Sequence, residues 1–222
     1  MTTDLASAVT TPLHRPGSDR GWWGPLGAAV CCALGVAMVC VMFVWTPGGQ
    51  RIDDELIPGP ELSASLFDPA VTGLRLVGNP LHVAVFVAGL ALVGLVTRRI
   101  PMAMAGVAVL LGSIGLARLL KTWIVRPDLD LIGSTVHNSF PSGHVAAAAG
   151  MVFAVALLLR PRYRVMVLLP GAVGVAVTIG ATMVAGWHRL SDGLGAVLVA
   201  GTLYSLAVAI DRVISPNREG LQ

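Results

Sequence analysis

The stretch Ser139-Phe140-Pro141-Ser142-Gly143-His144-Val145-Ala146-Ala147-Ala148-Ala149-Gly150-Met151-Val152-Phe153-Ala154-Val155-Ala156-Leu157-Leu158-Leu159 is a polar hexapeptide opening straight onto an apolar run. From Val145 to Leu159 no position is polar, so a helix there leaves no face for water and belongs inside protein or lipid. Pro141-Ser142 before it marks a helix start, with Ser142 as cap. The span 143–159 lies near the lower limit of about 17 residues for a bilayer crossing.

Working outward, five more apolar segments follow the same pattern, at about 24–45, 80–97, 101–120, 165–187 and 193–210. None shows the alternation of a membrane β-strand. The expected fold is therefore an all-α integral membrane protein, a bundle of six transmembrane helices. Composition agrees. Of 222 residues 55% are hydrophobic and 12% charged, and mean hydropathy is +0.78. A soluble domain carries about 25% charge, so cytosolic enzymes and disordered chains are excluded. Cys31, Cys32 and Cys40 share one apolar run and form no disulfide framework. The net charge of +3 comes without a basic stripe interleaved with aromatics, which speaks against a nucleic-acid partner.

The apolar run from Gly24 to Trp45 exceeds a signal-peptide core of roughly 7–15 residues and reads as the first span, flanked by Trp22, Trp23 and Trp45. With the N-terminus inside, nine basic residues fall on the inner side: Arg15, Arg20, Arg98, Arg99, Arg160, Arg162, Arg164, Arg212 and Arg218. The outer side has Arg51, Arg75, Arg118, Lys121, Arg126 and Arg189, four of which accompany the candidate chemistry. Positive residues favour the cytoplasmic side, so both termini are expected inside. Four parts are expected: a disordered tail over 1–20, the first helix and outer loop over 21–79, a helical core over 80–212, and a tail over 213–222. In the outer loop Arg51 and Arg75 read as ordinary charges beside Asp53, Asp54, Glu55, Glu61 and Asp68. Its Glu61-to-Val77 part reads as an interfacial helix or a plain connection.

Ionisable residues at membrane depth are costly and usually functional. Three groups stand out: Arg118 to Pro127, with Lys121 and Arg126; Ser139 to His144; and Gly186 to Asp192, with His188 and Arg189. His144 and His188 are 44 residues apart, one crossing down and one back, so all three groups meet on one membrane side. Ser142 and Gly143 open a helix whose free N–H groups can seat an anion, or they form an ordinary cap. His188 and Asp192 stand four apart on one helical face. The carboxylate either fixes the imidazole as nucleophile or base, or merely caps the last helix. Lys121 is the single lysine against fourteen arginines, either a compact ammonium in a site or a snorkelling helix end. A metal fits poorly, because the histidines lie on different helices with only Asp192 to join them. A phosphate held by cations and N–H groups, attacked by one histidine while the other protonates the leaving oxygen, fits well.

These residues, within about 80–212, resemble the type 2 phosphatidic acid phosphatases, membrane lipid phosphatases related to vanadium haloperoxidases. Pro141-Ser142-Gly143-His144 is similar to the family's second motif, His188 and Asp192 to the end of its third, and Lys121 with Arg126-Pro127 to its first. The resemblance implies that His188 attacks phosphorus to form a phosphohistidine, oriented by Asp192, and that His144 protonates the leaving oxygen. Lys121, Arg126, Ser142 and the Gly143 backbone would hold the phosphoryl oxygens, with no metal or other cofactor. The partners would be the bilayer and a lipid phosphate or pyrophosphate, of the polyprenyl diphosphate, phosphatidic acid or phosphatidylglycerol phosphate type. An outward-facing site in a bacterial plasma membrane follows from the orientation and the strong preference for arginine over lysine.

Two departures stand against the family pattern. Arg126-Pro127 comes two residues early, since the family's spacing from Lys121 lands on Asp128-Leu129. The Ser-Arg that opens the third motif is replaced by Ala181 and Thr182. Arg189, or less readily Arg118, is expected to supply the missing cation. The alternative is a degenerate relative that binds or moves lipid phosphates without turnover. An intramembrane serine protease using Ser142 and His188 would lack Gly-x-Ser-Gly and leave Lys121, Arg126 and Asp192 unexplained.

Overall fold

The computed structural model describes residues 21–129 and 138–214. The two tails expected over 1–20 and 213–222 therefore lie outside the described residues, apart from the last turn of the final helix. Eight α-helices are present among the described residues: α1 (Trp23–Val39, continued by a π-helical turn Cys40–Val44), α2 (Pro47–Glu55), α3 (Pro60–Gly78), α4 (Pro80–Val96), α5 (Ile100–Trp123), α6 (Gly143–Leu158), α7 (Val165–Val184) and α8 (Leu190–Ile214). Among the described residues there is no β-strand.

All six expected apolar segments are helical. Four are long and apolar enough to cross a membrane on their own: Trp23–Val44, Ile100–Trp123, Val165–Val184 and Leu190–Ile214. Helix α6 is shorter, and α3 with α4 forms a pair bent by 50°. The outer loop holds more structure than a connection. Its Glu61-to-Val77 part lies within the 19-residue α3, and Thr46-Pro47 starts α2, with the Thr46 hydroxyl accepting from the Gly49 N–H at 3.1 Å. Proline at the helix start costs no hydrogen bond, which suits Pro47, Pro60 and Pro80.

Packing is inverted relative to a soluble protein. Small residues fill the interior: Ala146, Ala149, Ala154 and Ala156 of α6, Ala117 of α5, and Ala196 and Ala200 of α8. Larger aliphatic side chains such as Leu34, Leu92, Met104, Val173 and Val177 face outward. Lipid tails are as apolar as leucine, so close backbone approach of small residues drives association. At Gly150, for instance, a β-carbon would lie only 3.1 Å from the Leu110 Cα, so α5 and α6 meet nearly backbone to backbone. Helix α6 runs through the middle of the core, against α5, α7 and α8. That position brings its N-terminus between the end of α5 and the α7–α8 corner.

Candidate active site

The α7–α8 corner is built by backbone hydrogen bonds. Gly186 takes a left-handed conformation (φ 69°), and the N–H groups of Trp187 and His188 both donate to the Thr182 carbonyl, at 3.0 and 3.3 Å. The turn presents His188 just before α8 begins. In the first turn of α8, the fully buried Asp192 uses one oxygen, Oδ2, for three contacts. It accepts from the Arg189 N–H at 2.9 Å and from the Ser139 hydroxyl at 2.6 Å, and it meets His188 Nδ1 at 3.2 Å. The reach back to Arg189 is half of a capping box. The contact to Nδ1 sets the ring so that Nε2 is left for chemistry.

The same residue ties in α6, because the Asp192 carbonyl accepts from the Ser142 N–H at 2.9 Å. Ser142 caps α6 with its hydroxyl 3.5 Å from the Val145 N–H, and a β-carbon at Gly143 would meet nothing within 4 Å. The helix start therefore borders open space. Asn138 locks the end of α5 to this turn. Its Nδ2 donates to the carbonyls of Ile124 (2.8 Å), Phe140 (3.1 Å) and Lys121 (3.2 Å). Phe140, wholly buried, fills the space left by Gly195 of α8. The three sequence groups thus converge, as their spacing predicts.

The cations differ in their surroundings. Lys121, in the last turn of α5, lies within electrostatic reach of both Asp192 and His144. Arg126 is 3% exposed, and none of its three guanidinium nitrogens has a hydrogen-bond partner among the described residues. Burial, and next the charge of Arg189, pull its pKa below the ordinary value, against Asp192, Asp53 and Asp54. A buried charged fork with unanswered donors is costly unless an anion meets it. The loop is compact enough to bring Arg126 in despite its early register. Arg189 is occupied differently, its Nε donating to Asp54 at 2.5 Å, while Arg118 is exposed on α5. Thr182, at the position where the family places arginine, is buried with its hydroxyl bonded to the Ile179 carbonyl.

Sequence reasoning missed α2. Asp53, 1% exposed, accepts at Oδ1 from the Ser191 N–H at 3.0 Å and at Oδ2 from the Ser191 hydroxyl. It caps α8 from another helix. Burial raises its pKa above the usual carboxylate range, and the two Ser191 bonds offset part of that rise. Gln50, fully buried, donates to the carbonyls of Val44 at 2.8 Å and Pro127 at 3.4 Å, and Trp45 Nε1 donates to the Val125 carbonyl at 2.9 Å. Together they brace the loop carrying Arg126. Charges taken as ordinary in the loop, Asp53 and Asp54, are in fact directed at residues flanking the Asp192 turn. Their signal in the sequence is only the acidic run Asp53-Asp54-Glu55 beside Arg51. Among the described residues, no three His, Cys, Asp or Glu side chains group as a metal site.

A sequence profile described as the PAP2 superfamily matches residues 103–213, half of the chain. The chain belongs to the PAP2 superfamily. The matched region includes the stretch from Lys121 to Asp192 and leaves out α1–α4. Among solved structures, the chain is similar to a transmembrane PAP2-type phosphatidylglycerolphosphate phosphatase from Bacillus subtilis. The two share 23% identity with a TM-score of 0.63, over 86% of this chain and 99% of that one. The likeness confirms a PAP2 membrane fold that extends beyond the motif region. No curated protein matches the sequence.

Proposed function

We propose that the protein is a membrane lipid phosphatase working through a phosphohistidine. The observation that carries this reading is the His188–Asp192 contact, placed among cations that include a buried guanidinium with no hydrogen-bond partner among the described residues. In the first step His188 Nε2 forms a bond to phosphorus as the bond to the lipid oxygen breaks, and the His144 imidazolium gives that oxygen its proton. In the second step water attacks the phosphohistidine, its proton passes to neutral His144, and phosphate leaves with His188 restored. Asp192 orients His188 and stabilises the positive charge of the ring. Lys121, Arg126, Ser142 and the Gly143 N–H hold the phosphoryl oxygens, joined by Arg189 if its terminal nitrogens reach them past Asp54. General acid catalysis contributes about 10²–10⁴-fold, and each oxyanion donor about 10²–10³-fold.

The step needs no metal, and the substrate is a lipid phosphate or pyrophosphate in the outer leaflet of a bacterial plasma membrane. Phosphate release by the purified protein in detergent with EDTA tests this, using a polyprenyl diphosphate, phosphatidic acid and phosphatidylglycerol phosphate. Release that survives EDTA and disappears in His188→Ala is expected. Turnover retained by His188→Ala would exclude the phosphohistidine.

One observation favours a second reading, a binder or mover of lipid phosphates without turnover. The family's third-motif arginine is Thr182 here, and its nearest replacement is engaged by Asp54. Vanadate binding by folded protein that releases no phosphate from any of the three lipids would support that reading.

A further inference from the structure

His144 is confined by two residues that belong to neither its own helix nor its motif. The Trp187 ring lies 5.5 Å away at 36°, in the α7–α8 corner. The other is Gly78, the last residue of α3. A β-carbon built there would lie 2.5 Å from His144 Nε2, 2.7 Å from Cδ2 and 3.6 Å from Cε1, and these are the three atoms nearest to it. Real β-carbons do not tolerate such approach, so any side chain at Gly78 must displace the imidazole. Just beyond Gly78 the chain bends by 50° into α4, whose start is capped by Asn79 accepting from the Leu81 N–H at 2.8 Å. This elbow lies outside residues 103–213, the part that matches the superfamily.

We infer that the α3–α4 elbow is a wall of the active site on the leaving-group side, with Gly78 as a positioning residue for His144. The inference rests on the reading of His144 as the acid that protonates the lipid oxygen. Glycine is a poorer helix former than alanine. At Gly78 its use is explained by the imidazole that occupies the volume of the missing side chain. The atoms that must yield to a methyl group are those of one ring at the end of a rotatable side chain. Folding is therefore spared, while the proton donor moves off the line between the nucleophile and the leaving oxygen. A shift of this kind slows the first step only for substrates whose leaving group needs a proton, whereas the second step, in which His144 takes the proton of water, is common to all substrates.

The test compares the first step of Gly78→Ala, read as leaving-group release within a single turnover, on a lipid phosphate and on p-nitrophenyl phosphate, whose leaving phenolate is stable unprotonated. His144→Ala and His188→Ala serve as references. The expected result is a fall of about 100-fold in the rate of this step on the lipid phosphate, of the order that a general acid supplies. On the aryl ester Gly78→Ala is expected to lose no more than about threefold in this step, and His144→Ala is expected to show the same split. Equal losses on both substrates, or no loss on either, would overturn the inference. So would failure of Gly78→Ala to fold, because the crowding would then involve more than the imidazole. His188→Ala separates this from the parent reading. If that variant still turns over both substrates, the phosphohistidine is wrong whatever Gly78→Ala does.

Discussion

A guanidinium taken out of water without an acceptor carries a desolvation cost that the empty fold does not recover. Among the described residues Arg126 meets no acceptor, and this separates it from Arg189, whose Nε already bonds Asp54. Two opposite effects are therefore expected from Arg126→Met. Thermal unfolding in detergent should show a higher Tm, since a buried unpaired charge is exchanged for an apolar side chain of similar volume. Phosphate release should fall by about 100-fold or more, since two charge-assisted hydrogen bonds are worth about 1.5–3 kcal/mol each. Arg126→Lys should recover only part of this, because an ammonium lacks the planar fork. A variant that lost stability and kept its activity would make Arg126 a structural residue. For Arg189 the informative result is kinetic. Unchanged turnover in Arg189→Ala, alongside loss in His188→Ala, would remove Arg189 from the set that holds the phosphate.

Helix α2 shows how an element invisible to sequence reasoning comes to support the site. Asp53 reaches Ser191 across a separation of 138 residues, so no local pattern announces the contact. Short, charged and opening on Pro47-Gly48-Gly49, the segment has the composition of a solvated loop, and nothing in its periodicity contradicts that. Helix α6 and the His188–Asp192 turn were legible for the opposite reason, since cap, apolar run and four-residue spacing are all local. Asp53 also allows a prediction with a definite sign. Its raised pKa means that ionisation costs more in the folded state than in the unfolded chain. Its contribution to stability is complete below the unfolded pKa and is lost as pH rises through the folded pKa. Asparagine keeps both bonds, accepting from the Ser191 N–H and donating to its hydroxyl, and it has no charge to bury. Asp53→Asn is therefore expected to match or exceed the parent Tm at neutral pH, with that advantage shrinking as the pH is lowered. Asp53→Ala strands both Ser191 groups at a cost of about 1–3 kcal/mol each. Equal destabilisation by Asn and Ala would mean that the carboxylate's charge, and not its hydrogen bonds, holds α2 to α8.

At the scale of the whole molecule, the two ends of the bundle differ in chemistry. Among the described residues one end carries Arg98, Arg99, Arg160, Arg162, Arg164 and Arg212, at the α4–α5 and α6–α7 connections and the end of α8. Arg99 there donates to the Leu158 carbonyl at 2.8 Å, so a basic residue also closes the C-terminus of α6. The other end gathers His144, His188, Asp192 and the α2 carboxylates, where positive and negative groups are interleaved. Lysine and arginine resist translocation, and on that ground we propose that the first end lies in the cytoplasm and the candidate site outside. Cysteine labelling in intact cells tests the assignment, with Cys31, Cys32 and Cys40 first replaced by alanine. Leu56→Cys, following α2, and Tyr163→Cys, between α6 and α7, both replace exposed side chains (47% and 40%) at opposite ends. A membrane-impermeant maleimide is expected to label the first in intact cells and the second only after permeabilisation. The reverse pattern would turn the site toward the cytoplasm. Its lipid phosphates would then have to come from the inner leaflet, and the basic connections would have crossed the membrane against the charge bias that otherwise orients the bundle.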